Sequence, residues 1–188
     1  NKHFKLKRFI KIMKKTFYIS LGIILISFLI GIYFYNQMPE KIASHWNEKG
    51  QVDGYMSKFW ALFLMPIISI IVLLLFLFIP KIDPYKKNIE KFKRYYHNFI
   101  LVIMLFLFYI YLLTILWNIN IKFNIIQLMS PAFAIIFYCA GVLINNTKRN
   151  WFIGIRTPWT LGSEKVWNKT HKIGAKFFKI SGTICLLG

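Results

Sequence analysis

Residues 150–171 have the sequence NWFIGIRTPWTLGSEKVWNKTH, which differs sharply from the apolar runs that make up most of the chain. Three tryptophans stand here beside three ionisable residues, and these are Trp151, Trp159, Trp167, Arg156, Glu164 and His171. Pro158 and Gly162 predict turns. Ser163 predicts the cap of a helix whose first turn carries Glu164, where the positive end of a helix favours a carboxylate. The stretch therefore predicts a structured loop that leads into a helix.

On that helix, Glu164, Trp167 and His171 are spaced i, i+3 and i+7, so they share one face. Arg156 is predicted to organise the loop by contacting Glu164 or the carbonyl ends of nearby helices, because its planar fork suits oxygen acceptors. An aromatic and basic segment is also typical of the border between a membrane and water. Composition alone leaves both interpretations open, a specific site and an ordinary membrane border.

The composition is that of a membrane protein. Hydrophobic residues make up 57% of the 188 residues, the mean hydropathy is +0.51 and the formal net charge is +19. A basic chain can bind nucleic acid, but here the basic residues lie between long apolar runs, so direct nucleic acid binding is not expected. Cys139 and Cys185 lie inside apolar runs and are predicted to be small hydrophobic residues, neither a disulfide nor a metal pair.

Four apolar runs are long enough to cross a bilayer as helices, and they are residues 16–35, 59–79, 99–117 and 124–144. About 20 helical residues cover the hydrocarbon core. A fifth apolar run begins at Ile173 and is still apolar at Gly188, which predicts a truncated span. We therefore predict an all-α, polytopic helical membrane protein with five spans visible. Met13 resembles a natural start, so residues 1–12 are interpreted as an upstream extension.

The runs predict one helical membrane domain, residues 16–188, after a basic tail of residues 1–15. A two-span unit of residues 16–84 includes a polar loop of residues 36–58, in which Gly and Asp residues predict turns and a short hairpin. Pro80 and Pro84 are predicted to close its second span. A second part, residues 97–188, includes the motif loop of residues 145–172. Residues 81–98 are basic and helical in spacing, and they are predicted to lie at the membrane surface.

The loop charges predict the orientation. Counted for Lys plus Arg, the tail has 7, and the four connections that follow have 3, 6, 1 and 6. Basic residues concentrate in cytoplasmic loops, so the N-terminus, residues 81–98 and the motif loop are predicted to be cytoplasmic. The loop of residues 36–58 is predicted to face outward.

The spans and the outward loop offer little chemistry. No Asp, Glu, Lys or Arg falls within the first four apolar runs, which argues against an ion pump or a proton-coupled carrier. His45, Glu48 and Asp53 are candidate metal ligands in the outward loop. Zinc sites usually need three or four ligands, and this loop has neither a second histidine at ligand spacing nor a cysteine. No metal and no cofactor are predicted.

Arg156, Glu164 and His171 form the one candidate catalytic trio. No serine or cysteine has an obvious base at a known motif spacing, which nucleophilic catalysis would require. We therefore predict that the protein is not an enzyme.

Two groups of residues resemble the SdpI family of bacterial membrane proteins. The octapeptide GIRTPWTL at residues 154–161 closely resembles the family's hallmark segment, and the matching residues are Gly154, Arg156, Thr157, Pro158, Trp159, Thr160, Glu164, Trp167 and His171. The first half resembles a small membrane domain of unknown function that commonly precedes this segment. Its matches in the outward loop include Pro39, His45, Trp46, Asn47, Gly50 and Asp53. Together the resemblance covers nearly the whole chain from Met13 onward.

The resemblance implies about six spans in the bacterial cytoplasmic membrane and an immunity function, which is protection against a secreted, membrane-active toxin peptide. It also implies signalling, in which a small transcriptional repressor is held at the membrane. The implied partners are the lipid bilayer, the toxin peptide and the repressor, and the family residues have structural or partner-binding roles. Two alternatives remain. Charged residues in a C-terminal span would favour a small permease, and a catalytic group near Arg156 and His171 would favour a membrane enzyme.

Overall fold

The computed structural model describes the backbone of residues 2–187 and the side chains of residues 14–187. In this part of the chain the elements are α1 (Lys2–Tyr35), β1 (Lys41–Trp46), β2 (Val52–Ser57), α2 (Lys58–Ile82), α3 (Lys86–Asn118), α4 (Ile125–Asn146), α5 (Pro158–Gly162) and α6 (Glu164–Leu187). Four described segments are long and apolar enough to cross a membrane, namely Lys14–Tyr35 and the whole of α2, α3 and α4. The predicted polytopic helical class is confirmed, and the fifth span stays a prediction.

The central helix is α3, which contacts α1, α2 and α4. Three of its tyrosines each donate a hydrogen bond to the backbone of a different neighbour. Tyr96 donates to the carbonyl of Phe76 in α2 at 2.8 Å, Tyr109 to that of Leu128 in α4 at 2.9 Å, and Tyr111 to that of Ser27 in α1 at 3.0 Å. Because lipid offers no hydrogen-bond partners, a phenol inside a membrane protein is stabilised by finding an acceptor on another helix.

The helices differ from the predicted segments at three boundaries. Residues 86–98 are not a separate surface segment but the first turns of α3, continuous with its apolar part. Helix α2 continues through Pro80 and ends at Ile82, ahead of Pro84. The basic tail is helical from Lys2 and continuous with the first span, while Asn1 lies outside the described residues. Apolar length locates a span, but a helix continues until its backbone meets a cap or a turn.

Helix α6 packs antiparallel along α4 through small residues. A Cβ atom at Gly141 would lie 2.8 Å from the carbonyl of Ala175, and one at Gly182 would lie 2.8 Å from the carbonyl of Ala134. Glycine lets two helix backbones approach closely. Ser130 also donates a hydrogen bond to the carbonyl of Cys185. The C-terminal part of α6 is thus fixed by α4.

Helix α6 also carries a stripe of lysines, which runs from its exposed side to α4, where Lys179 Nζ lies 5.7 Å from the ring centroid of Tyr138. The lysines are Lys165, Lys169, Lys172, Lys176 and Lys179, and their spacing of three and four residues places them on one face. The first four are exposed. This stripe makes α6 amphipathic. Helix α6 is not among the described helices that are both long and apolar enough to cross a membrane.

The two ends of the bundle are built differently. At one end, β1 and β2 form an antiparallel hairpin between α1 and α2, and we call this the hairpin end. At the other end, the α2–α3 connection meets the segment that joins α4 to α6, and we call this the motif end. The buried core has a cluster towards each end. The motif-end cluster contains Ile24, Leu73, Ile89, Phe92, Tyr96, Ile100, Met104, Leu143 and Ile153, and the hairpin-end cluster contains Met38, Ile42, Ala61, Leu62, Tyr111 and Ile115.

Candidate functional sites

The loop after α4 is shaped by one buried amide. Asn150 is 0% exposed. Its Nδ2 donates to the carbonyls of Lys148 and Ile153, both at 2.8 Å, and its Oδ1 accepts from the amides of Phe152 at 3.0 Å and Ile153 at 2.6 Å. All the hydrogen-bonding capacity of the carboxamide is therefore used. Asn150 fixes the path of the chain just before the GIRTPWTL octapeptide.

Two further side chains attach this loop to the α2–α3 connection and to the first turn of α3. The buried carboxylate of Asp83 accepts from the amide of Trp151 at 2.9 Å and from the amide of Tyr85 at 2.6 Å. Asn88 donates to the carbonyl of Arg149 at 2.8 Å. The sequence analysis did not identify Asp83 or Asn88. The available signal was Asp83 directly before Pro84 at the end of an apolar run, a pattern that favours a side-chain-bonded turn.

His171 and Trp167 are buried in the first turns of α6, against the loop. Their rings stack with centroids 3.9 Å apart. His171 Nδ1–H donates to the carbonyl of Trp167 at 2.8 Å, and Nε2 accepts from the amide of Ile155 at 3.0 Å. This pair of bonds selects the neutral ring with its proton on Nδ1. Burial lowers the pKa of His171, and the hydrogen bond to the Trp167 carbonyl opposes that shift in part.

Gly154 is required by this arrangement. Its φ is +122°, a backbone conformation that side chains disfavour, and a Cβ atom there would overlap His171 Nε2. The indole of Trp167 donates to the carbonyl of Thr147 at 3.3 Å, which attaches α6 to the end of α4. The family residues Gly154, Trp167 and His171 are thus brought into one contact.

The short helix α5 explains three more residues of the motif. Thr157 caps α5 by accepting from the amide of Thr160 at 3.2 Å, while Thr160 Oγ1 accepts from the amide of Thr157 at 2.8 Å. Pro158 occupies the first helical position, where its missing N–H is not needed. Thr160 is buried and its hydroxyl also contacts the carbonyl of Ile155 at 2.9 Å. This reciprocal capping makes a rigid corner before α6.

The predicted pairing of Arg156 with Glu164 is wrong. Arg156 is exposed and its Nη1 donates to the carbonyl of Trp151 at 2.8 Å, an acceptor within the loop and not at a helix end. Glu164 is exposed in the first turn of α6, and the ion pairs among residues 14–187 do not include it. Helix α5 separates the two residues along the chain. Arg156, Glu164 and His171 are therefore not assembled as the catalytic trio considered above.

Large aromatic side chains remain exposed at the motif end. Trp159 is 74% exposed, and Trp151 and Phe152 are exposed as well. Arg156 is exposed in the same loop and donates to the main-chain carbonyl of Trp151, and we call these four exposed residues of the motif end the aromatic platform. Exposed tryptophan beside arginine is typical both of a membrane border and of a surface that binds a protein partner.

At the hairpin end, the predicted short hairpin is confirmed. Asn47 builds its turn, since Oδ1 accepts from the amides of Lys49 and Gln51, both at 3.0 Å. Gly50 has a φ of +73°, which favours glycine at this position. Pro39 is exposed just ahead of β1. These family residues are turn and border positions of the hairpin.

His45 and Asp53 face each other across the hairpin. His45 Nδ1 lies 2.5 Å from Asp53 Oδ1, and both side chains are exposed. A Cβ atom at Gly54 would lie 2.8 Å from the Cβ of His45, so the position opposite His45 has no room for a side chain. Among the residues that the structure describes, no three His, Cys, Asp or Glu side chains are grouped as a metal site would require.

The hairpin is attached to the bundle through α3. Asn118 Oδ1 accepts from the amide of Ala43 at 2.9 Å, and its Nδ2 donates to the carbonyl of Ala43 at 3.0 Å. Trp46 packs edge-to-face on Trp117 with ring centroids 5.6 Å apart. One turn at the end of α3 therefore holds β1 both by its backbone and by its tryptophan.

Below the hairpin lies a cavity of about 830 Å³, which we call the hairpin cavity. Its roof is Ser44, His45 and Trp46. One wall is α2, the floor is α3, and the other wall is formed by α4 and the end of α6. The sequence analysis did not predict it, because its lining comes from six elements that span residues 44–185 of the chain.

The comparisons with known proteins match both ends of this structure. Residues 22–70 match a domain of unknown function, DUF1648, and residues 146–188 match the SdpI/YfhL protein family. The fold is that of a polytopic helical membrane protein, and its residues 146–188 match the SdpI/YfhL family, so the resemblance is confirmed. The chain is 28% identical over 172 residues to Immunity protein SdpI of Bacillus subtilis (strain 168), a match that covers 92% of this chain and 80% of that protein. No solved structure matches the chain.

Proposed function

We propose that the protein is an integral membrane immunity protein that protects a bacterial cell against a membrane-active toxin peptide. The observation that carries this proposal is the similarity to Immunity protein SdpI, which extends over 172 residues and so includes both the hairpin and the motif end. We further propose that the protein lies in the cytoplasmic membrane with its N-terminus inside, because basic residues concentrate at the motif end. The hairpin end then faces the side from which a secreted peptide arrives.

The test is expression in a sensitive bacterium, followed by challenge with two synthetic peptides, a cationic amphipathic helix and an uncharged apolar helix. We expect survival to rise with the wild-type protein. His45→Ala and Trp46→Ala are expected to lower survival about tenfold at unchanged membrane abundance, because they alter the hairpin without entering the bundle core. Tyr33→Ala is the matched control, since Tyr33 is an aromatic residue of α1 that is 68% exposed.

Survival that is equal with and without the wild-type protein, for both peptides, would contradict protection. A parallel loss of abundance and survival in the hairpin variants would assign His45 and Trp46 to the stability of the loop alone.

A signalling role is the second candidate, and the exposed aromatic platform favours it. We propose that this platform holds a soluble repressor protein when the peptide is bound. Trp159→Ala is then expected to abolish the transcriptional response to the peptide while leaving protection intact. Loss of both responses together would contradict a separate role for the platform.

The permease alternative has less support. Within residues 14–187, the apolar parts of α1 to α4 carry no charged side chain, and the first four lysines of the α6 stripe are exposed instead of lining a path between helices. An enzyme has less support as well. Both ring nitrogens of His171 are occupied by backbone groups, so this histidine has no free position for proton transfer.

A further inference from the structure

The hairpin cavity has the size and lining of a ligand site. Its volume of about 830 Å³ lies within the range of pockets that bury a ligand of moderate size. Three methionines line it, Met56, Met65 and Met129. Methionine is flexible and polarizable, and it is common at surfaces that accept apolar groups of different shapes. The lining thus suits an apolar occupant whose side chains vary.

The roof of the cavity is the irregular part of β1. Ala43 lies opposite Tyr55 and His45 lies opposite Gly54, so Ser44 has no partner on β2. Such a bulge re-aims side chains, and bulges are common beside functional sites. Three consecutive residues, Ser44, His45 and Trp46, border the cavity, although the side chain of His45 is 71% exposed and pairs with Asp53.

We propose that the hairpin cavity is the binding site for an apolar segment of a membrane-inserted peptide. This inference rests on the proposed function, because it takes the toxin peptide as the occupant. A phospholipid fits less well. Its headgroup would have to lie directly above its chain, where the hairpin forms the roof.

The experiment measures binding of the same two peptides, labelled with dansyl, to purified protein in lipid nanodiscs, with empty nanodiscs subtracted. Leu64→Trp enlarges a side chain that lines the cavity, and Leu74→Trp is the matched control, since Leu74 is 58% exposed on the outside of the same helix. We expect about tenfold weaker binding for Leu64→Trp and no change for Leu74→Trp.

The outcomes separate this inference from the proposed function. Protection without binding, or binding that Leu64→Trp leaves unchanged, overturns the cavity as the peptide site and leaves protection standing. Binding that Leu64→Trp weakens, in a protein that protects no cell, supports the cavity and overturns the proposed function. Failure of both peptides to bind overturns the inference. If Leu64→Trp released a bound phospholipid and left peptide binding unchanged, the cavity would be assigned to an acyl chain, and the inference would be overturned as well.

Discussion

The two ring nitrogens of His171 illustrate how a single residue connects two segments of the motif. One nitrogen donates to the helix that carries it, and the other accepts from the loop at Ile155. A second proton would place an N–H against the N–H of Ile155, so protonation opposes the folded arrangement. The octapeptide and α6 therefore depend on a neutral histidine.

The free energy of unfolding is expected to decrease as the pH is lowered, because His171 must stay neutral in the folded protein. Its pKa is lowered in the folded protein from the ordinary value of 6.5. Above about pH 6.5 the ring is neutral in both states, and its contribution to stability is complete. As the pH falls below that value towards the lowered pKa, the unfolded chain binds the proton more readily, and stability is lost.

The measurement is Tm in detergent between pH 7.5 and pH 5. His171→Phe keeps the stacked ring and removes the titration, so the variant is expected to lose part of the pH dependence of the wild type. It is also expected to have a lower Tm at pH 7.5, because the amide of Ile155 loses its acceptor. Identical slopes of Tm against pH in the two proteins would refute this role.

Residue spacing predicted the motif in part. Trp167 and His171 are buried on one face of α6, as their spacing suggested, but Glu164 on the same face is exposed. Trp167 already contacts Thr147, the residue that follows α4, so the turn that carries Glu164 extends beyond the end of α4. Helical spacing predicts which residues share a face, and the length of the neighbouring helix decides which of them are covered.

Among the elements, α4 and α6 depend on each other most closely. Gly141 and Gly182 place their backbones in direct contact, and Ser130 adds a hydrogen bond near the hairpin end. Neither glycine was distinguished by the sequence from others in apolar helices. A glycine that is required for close approach and one that is tolerated look the same until the neighbouring helix is known.

Two matched glycine substitutions test this contact. Gly141→Ala places a methyl group 2.8 Å from the carbonyl of Ala175 and is expected to cost about 1–3 kcal/mol. Gly22→Ala, in α1, has nothing within 4 Å and is expected to raise stability by up to about 1 kcal/mol, since alanine favours a helix. Thermal unfolding of the two variants in detergent measures the difference. Equal effects of the two substitutions would mean that the α4–α6 contact contributes little.

For the whole molecule, the charge pattern and the fold agree on which loops share an end. The N-terminal tail, with 7 basic residues, and the second and fourth connections, with 6 each, belong to the motif end or to the segment that enters it. The first and third connections, with 3 and 1, belong to the hairpin end. The fold establishes that these loops lie together, while the direction across the membrane is a proposal from their charge.

Topology reporters test that direction. Fusions at Gly50 and Asn120 are expected to report the outside of the cell, and fusions at Lys87 and Gly162 the cytoplasm, because the positive-inside rule assigns the loops rich in lysine and arginine to the cytoplasm. A cytoplasmic signal at Gly50 would reverse the orientation and remove the hairpin cavity from the path of an external peptide.

The sequence by itself determined the four apolar helices, the hairpin with its turn, and the resemblance to the SdpI family. These features are local, since the length of an apolar run, a turn residue and a motif are all read within a few tens of residues. The tertiary structure decided the remainder: the Asp83 and Asn88 contacts, the acceptor of Arg156, the three tyrosine bonds of α3, and the hairpin cavity. Each of these, except the loop bond of Arg156, joins residues far apart in the chain, and packing alone brings them together. For Arg156 the backbone path fixed by Asn150 and α5 placed the Trp151 carbonyl within reach in place of Glu164.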